Sequence, residues 1–106
     1  MIIYNITSSV EKSIHDEWMN WMLEDHIPKV METGKFYEIR IIKVRGDEAH
    51  GDTTYSIQYM LENQEQLNDY YKNYAPALRN HVKEKFGQKV LQFRTELEIV
   101  KVVKPV

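Results

Sequence analysis

The sequence predicts a single α+β domain in which four strands and two helical regions alternate in the order βαββαβ. Three observations predict this class. Four separate segments of the chain are rich in Ile, Val, Tyr and Phe, as strands are. A helix-capping signal follows the first and the third of these runs, and glycines and prolines separate the segments. The length of 106 residues fits one domain, which buries roughly two thirds of its surface on folding.

The first strand and the first helix are predicted from local signals. Residues 1–7 are β-branched and aromatic, which favours a strand. Ser8 and Glu11 form a Ser-x-x-Glu capping box, so we expect a helix to begin there. Its apolar residues recur at intervals of three to five positions: Ile14, Trp18, Met22, and then Ile27 or Val30. Pro28 predicts a kink in this helix, and Gly34 predicts its C-terminal cap.

The middle of the chain predicts a β-hairpin. Residues 35–45 and 53–61 are both rich in β-branched and aromatic side chains, and Gly46 and Gly51 bracket the segment between them. Two strands joined by a short, glycine-bracketed loop are typical of antiparallel pairing.

The last part of the chain predicts a split helix and a final strand. Asn63 and Gln66 are a second capping signal, which predicts a helix through about Tyr74. Pro76 lies at a first-turn position of a second helical segment that ends at Gly87. Residues 89–103 predict one long strand. This element order is that of the ferredoxin-like, or split βαβ, arrangement, with a four-stranded antiparallel sheet and helices on one of its faces.

Alternation along the strands predicts one apolar and one polar face of the sheet. The predicted apolar face, which suits the helices, contains Ile2, Tyr4, Ile6, Tyr37, Ile39, Ile41, Tyr55, Ile57, Tyr59, Leu61, Leu91, Phe93, Leu97 and Ile99. The predicted polar face carries charges of both signs together with amides and hydroxyls: Asn5, Glu38, Arg40, Ser56, Gln58, Arg94, Glu96 and Glu98.

The polar face allows two interpretations. It is either the solvated outer face of a monomer, as is common for antiparallel sheets, or the surface through which two copies of the chain meet around a two-fold axis. We prefer the homodimer, because the last predicted strand is longer than usual and can reach across a partner. The predicted interface residues are Glu38, Arg40, Gln58, Arg94, Glu96 and Glu98.

Composition excludes several classes of protein. The chain has 14 Lys and Arg against 16 Asp and Glu, and it has no cysteine, which argues against a disordered tail, a disulfide framework and a thiol nucleophile. No apolar run is long enough to span a membrane and the start does not resemble a signal peptide, so we expect a cytoplasmic protein without a membrane partner. Residues 79–106 carry seven basic and three acidic side chains. Because no aromatic RNA-binding motif accompanies this excess, we expect no nucleic-acid partner.

Candidate catalytic and binding residues are few. His26 can act as a general acid or base near neutral pH, or its cation can stabilise the end of the first helix. Trp18, Trp21, Tyr59 and Tyr74 are candidates for the wall of an apolar ligand pocket, or else for the core. The four histidines lack the three- or four-residue spacing of metal pairs on a helix, so we expect no metal site and no cofactor.

One stretch of the first helix resembles a known family. The segments Trp18-Met-Asn-Trp-Met-Leu-Glu-Asp-His-Ile-Pro28 and Gly34-Lys-Phe36, with the first strand, resemble a family of short bacterial proteins classified as a domain of unknown function. That family is similar in turn to the dimeric α/β-barrel group of ferredoxin-like proteins, which includes cofactor-independent monooxygenases, haem-degrading enzymes and ethyl tert-butyl ether degradation proteins. The resemblance implies a homodimer with a pocket between helix and sheet, and it implies no particular reaction.

The resemblance also bears on two candidate residues. Asn5 is similar to the first-strand Asn of the barrel enzymes. The Trp and His residues lie on the first helix, whereas the haem-degrading members carry theirs in the second half of the chain, which argues against haem chemistry. The first functional hypothesis is a homodimer that binds a small, partly apolar molecule between helices and sheet. The alternatives are a monooxygenase-like or lyase-like enzyme that uses Asn5 and His26, and a structural or regulatory protein-interaction module.

Overall fold

The computed structural model describes residues 1–46 and 51–106, which form strands and helices in two layers. The elements are β1 (Ile2–Val10), α1 (His15–Trp21), α2 (Ile27–Glu32), β2 (Glu38–Lys43), β3 (Thr53–Leu61), α3 (Gln64–Asn73), α4 (Ala75–Phe86) and β4 (Val90–Glu98). The strands form one antiparallel sheet in the order β2-β3-β1-β4. The predicted α+β class and the four-stranded antiparallel sheet are thereby confirmed. The predicted hairpin loop includes residues 47–50, with His50 among them, and these lie outside the described residues.

The core lies between the helices and one face of the sheet, which we call the inner face. Alternate residues of β1 and β3 supply its floor, as the strand phases of these two strands predict. The buried core side chains of these two strands are Tyr4, Ile6, Val10, Tyr55, Ile57, Tyr59 and Leu61. The helices cover them with Trp18, Met22, Val30, Leu67, Tyr70, Leu78, Val82 and Phe86. The opposite side of the sheet, which carries Asn5 and Gln58, is called the outer face.

The first helix begins later than the capping box predicts. Ser8 lies within β1, where it pairs with Tyr55 on one side and with Gln92 on the other. Its buried hydroxyl accepts a hydrogen bond from the Gln92 side chain instead of capping a helix. Because strands on both sides use the backbone of β1, the sheet outcompetes the local capping preference. The prediction of a helix start at Ser8 is therefore wrong.

The interruption that Pro28 predicts takes the form of a π-helical turn at Met22–His26, between α1 and α2. Pro28 then occupies the first turn of α2, where its missing N–H is not needed. A π-helical turn is wider than an α-helical one. It lets the helical region continue in the same direction while its backbone hydrogen bonds adjust to the proline. The helical region ends before Gly34, whose φ of 72° requires the left-handed conformation that glycine adopts readily.

The last strand is shorter than the pattern of residues 89–103 predicts. β4 ends at Glu98, which lies opposite Ile2, the first residue of β1. Ile99 donates one further backbone hydrogen bond to Met1, and beyond it β1 offers no partner. The rest of the chain, residues 100–106, is exposed and has no regular secondary structure. The strand therefore stops where its neighbour begins.

The phase of β4 is the main correction to the predicted sheet. Leu91, Phe93 and Leu97 lie on the outer face and are 64%, 64% and 41% exposed. Register with β1 fixes this arrangement, because Thr95 lies opposite Asn5 and Arg94 lies opposite Ile6.

The same phase divides the predicted interface residues between two faces. Glu38, Arg40 and Gln58 share the outer face, whereas Arg94, Glu96 and Glu98 lie on the inner side of the sheet edge. Glu96 and Glu98 are exposed there and Arg94 is half-buried, so these charged groups keep access to water on the inner side. The prediction that all six share one face is wrong.

Within the two described ranges, no helix has the length and apolar character needed to cross a membrane.

The phase of β4 can be tested with the same substitution at two phenylalanines. Phe86→Ala removes a buried ring and is expected to lower the free energy of unfolding by about 3–5 kcal/mol. Phe93→Ala removes a mostly exposed ring and is expected to lower it by less than about 1 kcal/mol. Urea denaturation measures both values, at protein concentrations low enough that the midpoint no longer depends on concentration. Equal losses would place Phe93 in the core and contradict the observed phase.

Candidate functional site

Two of the four predicted ligand-binding side chains belong to the packed core. Trp18 is fully buried, and its ring lies 5.3 Å from that of Tyr55. Tyr59 is also buried, with ring centroids of Tyr4 and Phe36 at 5.8 and 5.4 Å. Burial raises the pKa of the Tyr59 hydroxyl well above its usual value. These rings occupy the space between helices and sheet in which the sequence predicts a ligand pocket.

The other two predicted ligand-binding residues line separate surface grooves. Tyr74 borders a groove of about 340 Å³ between α2 and the junction of α3 with α4, together with Leu78. Trp21 borders a different groove of about 260 Å³, together with Asp25 and His81. The four residues predicted to form one pocket are therefore not brought together.

His26 is held inside the helical layer by the π-helical turn. Its ring stacks on Trp21 at a centroid distance of 4.9 Å, and only 6% of the residue is exposed. Trp21 in turn packs edge-on against Phe86 at 5.4 Å. In the parts of the chain that the structure describes, the buried Nδ1 of His26 has no hydrogen-bond partner. The imidazole thus packs chiefly as an aromatic ring.

The electrostatic surroundings of His26 favour its neutral form. The pKa of His26 is lowered to about 4, chiefly by burial; the positive charges of His81 and Lys29 also lower it, and Asp25 opposes them. His26 is therefore neutral at pH 7, which argues against the predicted role of a cation at the helix end. A buried base of such low pKa is also poorly matched to proton transfer near neutral pH.

Asn5 lies on the other side of the sheet from His26. Its neighbours Tyr4 and Ile6 face the helices, so alternation directs Asn5 to the outer face. The sequence alternative in which Asn5 and His26 serve one reaction requires both to reach the same substrate. The sheet between them keeps the two side chains apart.

The outer face has a closed polar network at its centre. The Asn5 Oδ1 accepts a hydrogen bond of 2.6 Å from the Ser56 hydroxyl, and the Asn5 amide nitrogen donates to Thr7 and Thr95 at 3.2 Å each. Gln58 donates to the Ser56 hydroxyl at 3.4 Å. On β2, Arg40 pairs with Glu38, so charges of both signs satisfy each other there. The central polar groups thus have partners within the chain.

Exposed apolar side chains flank this network on both edges of the sheet. Leu91, Phe93 and Leu97 lie on β4, and Ile42, which is 40% exposed, lies on β2. Exposed apolar surface such as that along β4 marks interaction sites on soluble proteins. The outer face, with its satisfied centre and apolar edges, is therefore the candidate functional site. Sequence reasoning missed its β4 residues because their alternation fits a core-facing strand equally well.

The remaining described histidines have separate surroundings. The Nε2 of His15 lies 2.6 Å from the Tyr55 hydroxyl, and its Nδ1 lies 2.9 Å from Asp16. His81 is exposed on α4 and borders the groove next to Trp21. Across residues 1–46 and 51–106, no group of three or more His, Cys, Asp or Glu side chains is placed to hold a metal ion.

The burial of His26 predicts a pH-dependent stability. Its pKa is about 4 in the folded chain and 6.5 in the unfolded chain, so the unfolded chain binds the proton first as the pH falls. Above pH 6.5, His26 makes its full contribution to the free energy of unfolding. As the pH falls from 6.5 to 4, this contribution is lost, and the free energy of unfolding decreases by about 3 kcal/mol in total. His26→Phe is expected to remove most of this loss, as measured by urea denaturation across the pH range.

His81→Gln is the matched control for this experiment. Since burial is the larger cause of the His26 pKa shift, the control should keep most of the pH dependence. The same pH profile in the wild type and in His26→Phe would show that His26 is not the group responsible.

Comparison with known proteins agrees with the resemblance found in the first strand and in the Trp18–Pro28 segment. A family model described as a domain of unknown function, DUF4286, matches residues 1–100. No curated protein matches the chain at a significant level. Since the family model covers nearly the whole chain, the protein belongs to the DUF4286 family.

Proposed function

We propose that the protein is a homodimeric protein-interaction module whose two copies pack outer face against outer face. The observation that carries this proposal is the contrast within the outer face, where a satisfied polar centre lies between exposed apolar edges. The cytoplasmic location predicted from the sequence stays a prediction and is part of the proposal.

The polar centre can be buried at little cost. Burying a polar group is expensive mainly when it loses its hydrogen bonds to water without replacing them. Asn5 already bonds Ser56, Thr7 and Thr95 inside one chain, and it is only 8% exposed. A partner that covers this region removes little water from Asn5. The network therefore supports burial in an interface.

The apolar edges supply the driving force. Phe93 and Leu91 stand on an edge strand and expose most of their surface, which favours association. Covering them, together with Leu97 and Ile42, removes apolar surface on both edges of the sheet from water. Any partner with a flat apolar surface would provide this gain in free energy. The identity of the partner must therefore be argued from charge and from the area of the interface.

Charge and area support a second copy of the chain as the partner. The Glu38–Arg40 pair has no net charge, so two outer faces related by a two-fold axis do not repel each other there. Three strands of nine residues and one of six, with about 3.3 Å per residue and about 4.8 Å between strands, span an area of about 520 Å² per face. Two such faces exceed the ~1,000 Å² that a stable interface requires.

The topology is compatible with this assembly. Strand order β2-β3-β1-β4 and the strand-helix alternation along the chain support a ferredoxin-like assignment. Face-to-face packing of two such sheets is the dimeric α/β barrel implied by the family resemblance. Glu38, Arg40 and Gln58 remain interface residues in the proposal, and Leu91, Phe93 and Leu97 replace the three charged residues of β4.

The first functional hypothesis, a ligand pocket between helices and sheet, and the enzyme alternative are not part of the proposal. Trp18 and Tyr59 fill the space expected to hold a small molecule between helices and sheet. Asn5 and His26 lie on different sides of the sheet, which argues against an enzyme that uses both.

The dimer is tested by placing a charge on the outer face. We expect the wild type to sediment as twice the 12.7 kDa chain at micromolar concentration. Phe93→Lys buries an unpaired charge in the proposed interface and should raise the dimer dissociation constant by about tenfold or more. Sedimentation velocity over a concentration series measures this change.

Leu23→Lys is the matched control, since Leu23 is also an exposed apolar residue but lies in the helical layer. It should leave the dissociation constant unchanged, and circular dichroism checks that both variants are folded. A wild type that stays at 12.7 kDa would exclude the dimer. A dimer that Phe93→Lys leaves intact would exclude this interface.

A further inference from the structure

Two arginines from different elements converge on one buried hydroxyl. The Arg79 Nη2 on α4 donates to the Tyr4 hydroxyl at 3.1 Å, and the Arg94 Nε on β4 donates to the same oxygen at 3.0 Å. Tyr4 is 1% exposed and belongs to β1, on the inner face. The hydroxyl therefore fixes the positions of two guanidinium groups at the gap between α4 and β4.

Neutral groups, not carboxylates, orient these two arginines. Arg94 also donates to the Gln92 side-chain oxygen at 3.2 Å, and Arg79 stacks over the Tyr71 ring at 5.6 Å. Among the described residues, no carboxylate lies within ion-pair distance of either guanidinium. Glu96, the next acidic residue along β4, receives a hydrogen bond from Gln64. The two positive charges are thus held in place without being neutralised.

Both arginines line one groove. It has a volume of about 260 Å³, and Lys83 from the next turn of α4 adds a third positive charge to its wall. Gln92 contributes an amide, and Val82 and Val90 provide an apolar part of the lining. The wall therefore combines three cations with one amide and a small apolar surface.

We propose that this groove binds a small molecule that carries a phosphate monoester. Guanidinium groups present a planar fork of donors that matches phosphate oxygens, and fixed guanidinium groups lose little entropy on binding. A phosphate monoester carries between one and two negative charges at pH 7, which suits a site with three cations. Val82 and Val90 contact the organic part of the ligand.

The charge distribution of the chain fits this role. The seven basic and three acidic side chains of residues 79–106 include all three cations of the groove. A local positive field raises the concentration of anions at the site and speeds their binding. The groove lies on the inner side of β4, away from the outer face, so it does not depend on the dimer.

The proposal is tested by nuclear magnetic resonance with inorganic phosphate as the probe. Amide signals of the ¹⁵N-labelled protein are followed during addition of sodium phosphate, and of sodium chloride at equal ionic strength. We expect saturable shifts around Lys83, Gly87 and Gln92 with phosphate only. Arg79→Gln and Arg94→Gln should each weaken binding about tenfold or more, as expected for the loss of a hydrogen bond to a charged group.

Two further variants make the result decisive. Lys72→Gln removes an exposed cation of α3 outside the groove and should leave phosphate binding unchanged. If Arg94→Gln is unfolded by circular dichroism, Lys83→Gln supplies the same test, because Lys83 is exposed. Absence of saturation, equal shifts with chloride, or equal losses in Lys72→Gln would overturn the proposal.

A nucleic acid offers phosphates of a different kind, joined as diesters. A short single-stranded RNA oligonucleotide is therefore titrated in parallel at equal phosphate concentration. Stronger saturable shifts with inorganic phosphate support a monoester site. Binding of the oligonucleotide without binding of inorganic phosphate would contradict it.

Discussion

β1 lies in the centre of the sheet and is hydrogen-bonded along its whole length to β3 on one side and to β4 on the other. This double pairing fixes the register of both neighbours, and with it the face to which each of their side chains points. Tyr4 and Asn5, which are adjacent in sequence, therefore stand on opposite sides of the sheet. A shift of one residue would exchange the two faces and expose the core.

The two sides of β1 carry different chemistry. On the inner face, Tyr4 packs against Tyr59, Tyr70 and Tyr71, and its hydroxyl holds Arg79 and Arg94. On the outer face, Asn5 joins the three neighbouring hydroxyls into a closed network. The proposed ligand groove and the proposed dimer surface thus depend on the same strand but lie on different faces. Binding of an anion and association of two chains can therefore be altered separately.

Much of the fold can be predicted from the sequence because its signals are local. Asn63 caps α3 as predicted, since its side chain accepts a hydrogen bond of 3.0 Å from the Gln66 backbone. The phases of β1 and β3 are also correct, because most of the apolar residues of these central strands lie on one side. The structure differs from the predictions at Ser8 and in β4, and in both places the reason is a tertiary interaction. Backbone pairing on both sides overrides the capping preference of Ser8, and the register with β1 places the apolar side of β4 on the outer face.

The candidate site could be predicted only in part. Glu38, Arg40 and Gln58 follow from strand alternation, whereas the placement of Phe93 depends on the register between β4 and β1. The convergence of Arg79 and Arg94 on Tyr4 joins three elements that are far apart in the chain, and no local pattern predicts it. The sequence marks His26 as a candidate catalytic residue because it is a histidine. Its burial against Trp21 depends on tertiary packing, which the sequence pattern does not reveal.

The face-to-face dimer is tested most directly by isotope-filtered nuclear Overhauser measurements on an equimolar mixture of ¹³C-labelled and unlabelled chains. Such a spectrum reports only contacts between two copies. We expect intermolecular contacts of the Phe93 ring with methyl groups of Leu91, Leu97 or Ile42. Intermolecular contacts confined to the helices, or none at concentrations at which the protein is dimeric, would contradict it.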